Sequence, residues 1–186
     1  MSIDLSKYKK SKKTNALPKF ETTSIGDRPA RIQNLSQFND KDLYYTYYTF
    51  DKGVSGYVER KEAHDSNDGK KKFIPYSLTV DGKWVMLAWP KNRTLYNEYL
   101  LKSHPDKPVA IHEGEKAADY GQKHLTKYNN ITFQGGSKAA GLSNYEHLKD
   151  KDVTLFPDND EDGIRAMAHV AKILIEKEIT FNIKIV

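Results

Sequence analysis

The chain has 186 residues, enough to bury a core in one domain or two small ones, and its formal net charge is +5. That balance suits an acidic partner such as nucleic acid, and equally an ordinary mixed-charge surface. Cysteine is absent, which excludes disulfides, thiol chemistry and zinc sites of the cysteine type, and no run approaches the ~18 apolar residues of a membrane helix or forms a signal-peptide core, so the expected location is cytoplasmic with no membrane partner.

Residues 1–40 are polar and basic, with Lys7, Lys9, Lys10, Lys12 and Lys13 close together. They predict a flexible tail, with a short docked piece near Ala30 to Leu35, that either tracks phosphates or simply stays solvated. From Leu43 the texture becomes aromatic and β-branched. Tyr44 to Phe50 and Gly56 to Arg60 flank Asp51-Lys52-Gly53, and Phe73 to Val80 and Trp84 to Trp89 flank Asp81-Gly82, which predicts two hairpins in a small antiparallel sheet. Arg60, Lys70, Lys71, Lys72, Lys83, Lys91 and Arg93 are interleaved there with Tyr76, Trp84 and Trp89, a combination suited to backbone neutralisation and base stacking. Aromatics at strand spacing are also the usual material of a core or of cross-strand pairs. A polar connector from Asn97 to Asp106 predicts a boundary, giving a tail at 1–40, a β-rich basic subdomain at 41–104 and an α/β domain at 105–186.

In that last domain strands and helices alternate: strand 108–113, helix 115–127, strand 131–134, a short helix near 143–149, strand 153–157, helix 161–177 and strand 180–186. Ile164, Met167, Ala168, Ala171, Leu174 and Ile175 mark the apolar face of the long helix. Glu113-Gly114 ends the first strand, Gly114 allowing a sharp turn, and Asp158, Asp160 and Asp162 follow the strand stopped by Pro157. In an open parallel sheet such ends share one edge, so these carboxylates converge and repel, a conflict that a hard divalent cation resolves. Asp162 reads as the N-cap of the helix. The Asp158-x-Asp160-x-Asp162-Gly163 spacing also matches half an EF-hand loop. Its twelfth position is His169 rather than Glu, and a strand precedes it, which argues against calcium. Lys116, Gly135, Gly136 and Lys138 could meet phosphate, whereas no P-loop spacing exists and His112 should face away from Glu113 into packing.

The Glu113-Gly114 and Asp158-x-Asp160-x-x-Gly163 pattern resembles the Toprim domain shared by bacterial-type DNA primases, topoisomerases and some nucleases, and Leu95-Tyr96-Asn97 upstream is similar to phage and plasmid primases, including primase–helicase fusions. The resemblance implies a Rossmann-like, mainly parallel sheet with helices on both faces, preceded by the β-rich subdomain and the flexible basic tail. It also implies Glu113, Asp158 and Asp160 as catalytic and metal-holding acids, and Mg²⁺ or Mn²⁺ as cofactor. Lys116, Lys138, Gly135, Gly136, Arg60, Lys71, Lys72 and Arg93 would then contact phosphate or nucleic acid. The expected activity is that of a primase-type nucleotidyltransferase in phage, plasmid or mobile-element replication, in a bacterial or phage-infected host cell. Its partners would be a single-stranded DNA template, nucleoside triphosphates, and a helicase or zinc-binding module supplied elsewhere. A metal-dependent nuclease and a non-catalytic nucleic-acid or protein-binding module remain as alternatives. A topoisomerase fits least, since no room is left for a DNA-gate domain.

Overall fold

A computed structural model describes residues 18–19, 43–79, 84–89 and 91–184. The expected docked piece at Ala30 to Leu35, the lysines before it and the Asp81-Gly82 turn lie outside the described residues. The chain divides into two compact units, 1–46 with 53–90, and 47–52 with 91–186. The division therefore lies upstream of the expected boundary at 104. The reason is apolar: Leu95 and Leu101 belong to the core of the second unit, and the supposed connector contains a helical turn, α1 (Leu100–Ser103), with both its leucines buried.

The first unit is built on a five-stranded sheet of β1 (Pro18–Lys19), β2 (Leu43–Tyr48), β3 (Val54–Lys61), β4 (Lys72–Thr79) and β5 (Trp84–Met86), in which β2 and β3 are neighbours and β5 pairs with β4. The β2–β3 connection closes where the Lys52 N–H donates to the Thr49 carbonyl, with Lys52 in the left-handed region at φ 67°. Strand β3 is buried on both faces: Tyr57 stands opposite Tyr76 and against Trp84 on one, and Trp89 covers the other. The Trp89 indole N–H donates to the Tyr76 carbonyl (3.0 Å) and its ring lies over Gly56, which leaves no room there for a side chain.

The second unit is a four-stranded parallel sheet of β6 (Val109–His112), β7 (Asn129–Thr132), β8 (Val153–Phe156) and β9 (Phe181–Ile183), in the order β7-β6-β8-β9. All four residues of β6, β7 and β8 are buried, as expected of strands covered on both faces. Helix α2 (Glu115–His124) links β6 to β7, and α3 (Glu161–Glu176) links β8 to β9. The two crossovers run in opposite directions from the centre, so right-handedness puts the helices on opposite faces. The expected helix near 143–149 is two 3₁₀ turns, Ser137–Leu142 and Glu146–Leu148. In α3 the buried residues are Gly163, Ala166, Met167, Val170, Ala171 and Leu174, whereas Ile164 and Ile175 of the expected apolar face are exposed. The buried set follows the i, i+3, i+4, i+7 rhythm more closely, and it is this stripe that meets Val153, Leu155 and Tyr145 in the core.

Candidate functional site

Adjacent strands β6 and β8 run in register, with His112 opposite Phe156, and both end there. The chain leaves β6 toward β7 on one side while β8 stands on the other, so Glu113 and the Pro157–Gly163 loop flank the point where strand order reverses. That crevice outside the carboxyl ends is where open α/β sheets bind ligands. The two segments touch: a Cβ on Gly163 would lie 2.6 Å from the Asp158 carbonyl oxygen, 2.8 Å from the Asp158 nitrogen and 2.8 Å from Glu113 Oε2. Glycine is thus demanded at 163. It is not demanded at 114, where the backbone is extended (φ −151°) and a Cβ would meet nothing within 4 Å, contrary to the tight turn expected there.

Glu113 Oε2 is buried with no hydrogen-bond partner. Burial, then the charges of Asp158 and Asp160, push its carboxyl above the ordinary value. Asp160, not Asp162, caps α3: its Oδ1 accepts the Gly163 N–H at 2.7 Å, and its extended backbone suits the cap position. Asp162 instead stands in the first turn beside Arg165 (3.4 Å). Among the described residues no three His, Asp or Glu side chains form a cage for a metal ion. Mg²⁺ needs no such cage, because it takes one or two carboxylates, keeps several waters and shares substrate phosphates. A buried, partnerless carboxylate oxygen beside two exposed aspartates is a donor set that fits an ion of this kind, with Glu113, Asp158 and Asp160 as the groups that could hold it.

The loop after β7 leaves the same sheet edge. Gly135 (φ 88°) and Gly136 (φ 70°) take left-handed backbone there, the conformation that favours glycine. Arg93 is brought to this loop across forty residues of sequence: its N–H donates to the Leu142 carbonyl, its Nη1 donates to Gln134 Oε1 (2.6 Å), and a Cβ on Gly135 would lie 3.3 Å from that same nitrogen. Arg93 was grouped by sequence with the β-rich subdomain; it belongs to the second unit. Lys116 and Lys138 are exposed. A half-buried guanidinium beside a glycine pair offers fixed donors to an anion such as phosphate.

Residues 44–159 match the family described as Domain of unknown function (DUF6371). The chain belongs to this family. The matched segment includes Glu113, Asp158, Arg93 and the Gly135-Gly136 pair, and stops just before Asp160. No curated protein matches the chain. Among solved structures, the fold is similar to the crystal structure of a DNA primase domain from Pseudomonas aeruginosa, with 14% identity and a TM-score of 0.56 over 81% of this chain and 44% of that one. It is similar also to the DnaG primase catalytic domain bound to ssDNA, with 15% identity and a TM-score of 0.52 over 78% of this chain and 45% of that one. This DUF6371 member therefore spans less than half the length of those structures, and shares with them a primase-type fold.

The interleaved aromatics of the first unit take the core role that their strand spacing also predicts. Tyr76, Trp84 and Trp89 are core residues, so base stacking on them is ruled out. Arg60 is drawn inward, its Nε 2.8 Å from Glu62 and its guanidinium over the Phe73 ring, and Lys72 pairs with Asp68 (3.4 Å). Lys71 is exposed.

Sequence reasoning overlooked the acids that seat α2. Buried Glu115 accepts a hydrogen bond from the Tyr47 hydroxyl (2.6 Å), and Asp119, one turn on, accepts one from Tyr96 (2.9 Å). Their i, i+4 spacing was the available signal. His112 is buried as expected, its Nε2 2.8 Å from Asn130 Oδ1 and its ring stacked on Phe156.

Proposed function

We propose that this DUF6371 member is a metal-dependent, primase-type nucleotidyltransferase core that joins ribonucleotides on a single-stranded DNA template. The observation behind the reading is the packing of partnerless Glu113 Oε2 against the Asp158–Asp160 loop and the first turn of α3 at the point where strand order reverses. Asp158, Asp160 and Glu113 would hold Mg²⁺ or Mn²⁺. A divalent ion there supplies charge neutralisation for the triphosphate and for the oxygens of the displacement.

The chain's own groups do the rest. Arg93 and the backbone of Gly135 and Gly136 bind nucleotide phosphates, with Lys116 and Lys138 adding charge from outside. The cap bond from Gly163 to Asp160 fixes one carboxylate and holds its loop against the helix start. Glu113 either helps to hold the ion or accepts the proton of the attacking 3′-hydroxyl as that oxygen bonds to the α-phosphorus and pyrophosphate departs. A helicase and a zinc-binding template module would be supplied by other polypeptide segments, as befits phage, plasmid or mobile-element replication.

The test is incubation with single-stranded DNA, labelled ribonucleotides and Mg²⁺ or Mn²⁺. Short labelled products from the wild type, lost in Glu113→Gln and in the double variant Asp158→Asn/Asp160→Asn, are expected. Asp158-dependent degradation of the DNA without synthesis would replace this reading with a nuclease, and neither activity would leave a binding module.

A further inference from the structure

Helix α2 carries its acids and its cations on adjacent faces, roughly 100° apart around the axis. Its acids, Glu115 and Asp119, point at Tyr47 and Tyr96 and are buried or half-buried. Lys116, Tyr120, Lys123 and His124 are all exposed. At about 100° per residue, Lys116, Tyr120 and Lys123 fall within roughly 60° of one another, with His124 beside them. Tyr120 is 65% exposed, an unusual state for a large ring, and its ring centroid lies 4.1 Å from that of His124. Just beyond the helix, exposed Lys127 lies with its Nζ 5.1 Å from the Tyr128 ring centroid. The outward face thus alternates cation with aromatic ring, and the carboxylate at its margin, Asp119 beside Lys123, is half-buried and turned to Tyr96. It starts three residues after Glu113 and extends roughly 12 Å along the helix, at about 1.5 Å per residue.

We infer that this face of α2 is a track for single-stranded DNA, with Tyr120 and His124 as the stacking platform for bases and Lys116, Lys123 and Lys127 as backbone phosphate contacts. The inference rests on the proposed function for the identity of the polyanion. Its own support is charge complementarity: a cationic stripe with solvent-facing rings matches a ligand that offers phosphates and unpaired bases together. Duplex DNA would engage the lysines while leaving the ring without a base to stack on. Tyr76, Trp84 and Trp89 of the first unit are buried and cannot serve this purpose, whereas Tyr120 is an exposed ring close in sequence to the acids.

The experiment is fluorescence anisotropy of a labelled oligothymidylate with the full chain in EDTA, so that no chemistry is required. Tyr120→Ala should weaken binding by about ten-fold, the order that one base–aromatic stack supplies, and Tyr120→Phe should restore most of it. Lys116→Ala/Lys123→Ala should lower the slope of log K against log salt by roughly 1.4, at about 0.7 per lost phosphate contact. Lys172→Ala, an exposed cation on α3, serves as the charge control and should bind nearly as the wild type does. Circular dichroism checks that each variant is folded. Equal affinities for wild type, Tyr120→Ala and the lysine pair would overturn the inference, as would tighter binding of duplex DNA than of oligothymidylate. Glu113→Gln separates the two claims: it should abolish synthesis and leave anisotropy intact. Tyr120-dependent binding without primer synthesis by the wild type supports the track and sinks the proposed activity; synthesis without Tyr120 dependence does the reverse.

Discussion

Gly163→Ala is the sharpest perturbation of the site that avoids touching a carboxylate. The added methyl would stand 2.6 Å from the Asp158 carbonyl oxygen and 2.8 Å from both the Asp158 nitrogen and Glu113 Oε2. A relaxed contact needs roughly 3.5 Å, so something must retreat by close to ~1 Å. Two of the three atoms are backbone, and they belong to the loop that presents Asp158 and Asp160. Overpacking of this kind costs about 1–3 kcal/mol of stability, and a displacement of about 1 Å at reacting groups can cost on the order of a hundred-fold in rate. Urea denaturation followed by circular dichroism, together with the primer-synthesis assay, reads both effects. Gly141→Ala, which meets nothing nearer than 3.7 Å, is the control and should change neither. A Gly163→Ala protein with wild-type stability and wild-type synthesis would refute the claim that this glycine packs the two acidic segments together.

Gly135→Ala should strain a left-handed residue by about 1–2 kcal/mol and crowd Ala139, 2.9 Å away, and it should raise KM for ribonucleotides in steady-state assays. An unchanged KM would remove the glycine pair from the nucleotide site. Tyr47→Phe should cost about 1–3 kcal/mol in urea melts, because it takes a hydrogen bond from buried Glu115, and an unaltered midpoint would deny the Tyr47–Glu115 bond a part in seating α2. Trp89→Ala should cost about 3–5 kcal/mol through the cavity it opens above Gly56. Lys177 and Lys149 hold the Glu146 carboxyl down to about 2, against an ordinary 4.5. A depressed acid contributes stability above its unfolded value and loses it as pH falls through the folded one, so the thermal midpoint of Glu146→Gln should lie slightly below wild type at neutral pH. The two should converge between pH 4.5 and about 2, and a gap that persists at the low end would contradict this assignment.

Much of the second unit was legible because its signals are local. A short apolar run that stops at Glu113 or at Pro157 marks a strand end whatever lies elsewhere in the chain, and parallel topology then brings the acids to one edge. The identity of the helix cap was not legible: Asp158, Asp160 and Asp162 are all good N-cap residues, and only the three-dimensional path assigns the Gly163 bond to Asp160. The same holds for glycine. Both Gly114 and Gly163 stand at helix starts, but crowding, which decides which of them is required, depends on an approach between segments fifty residues apart. Arg93 was misgrouped because sequence proximity to the aromatic hairpins outweighed a pairing with Leu142 and Gln134 that no local pattern encodes. In the first unit, basic residues beside aromatics suit both a stacking surface and a core, and three dimensions decide for the core at Tyr76, Trp84 and Trp89 while Arg60 is drawn inward against half-exposed Phe73. The exposed basic and aromatic face is on α2, where the 3.6-residue period turns Glu115 and Asp119 inward and leaves the lysines outside.

The proposed activity requires a divalent ion at Glu113, Asp158 and Asp160, and electron paramagnetic resonance of added Mn²⁺ measures its binding without any need for turnover. Wild type should immobilise Mn²⁺, more tightly with a nucleoside triphosphate present, and folded Asp158→Asn/Asp160→Asn and Glu113→Gln proteins should leave it free in solution. Identical Mn²⁺ spectra for wild type and both variants, with and without the triphosphate, would contradict the account.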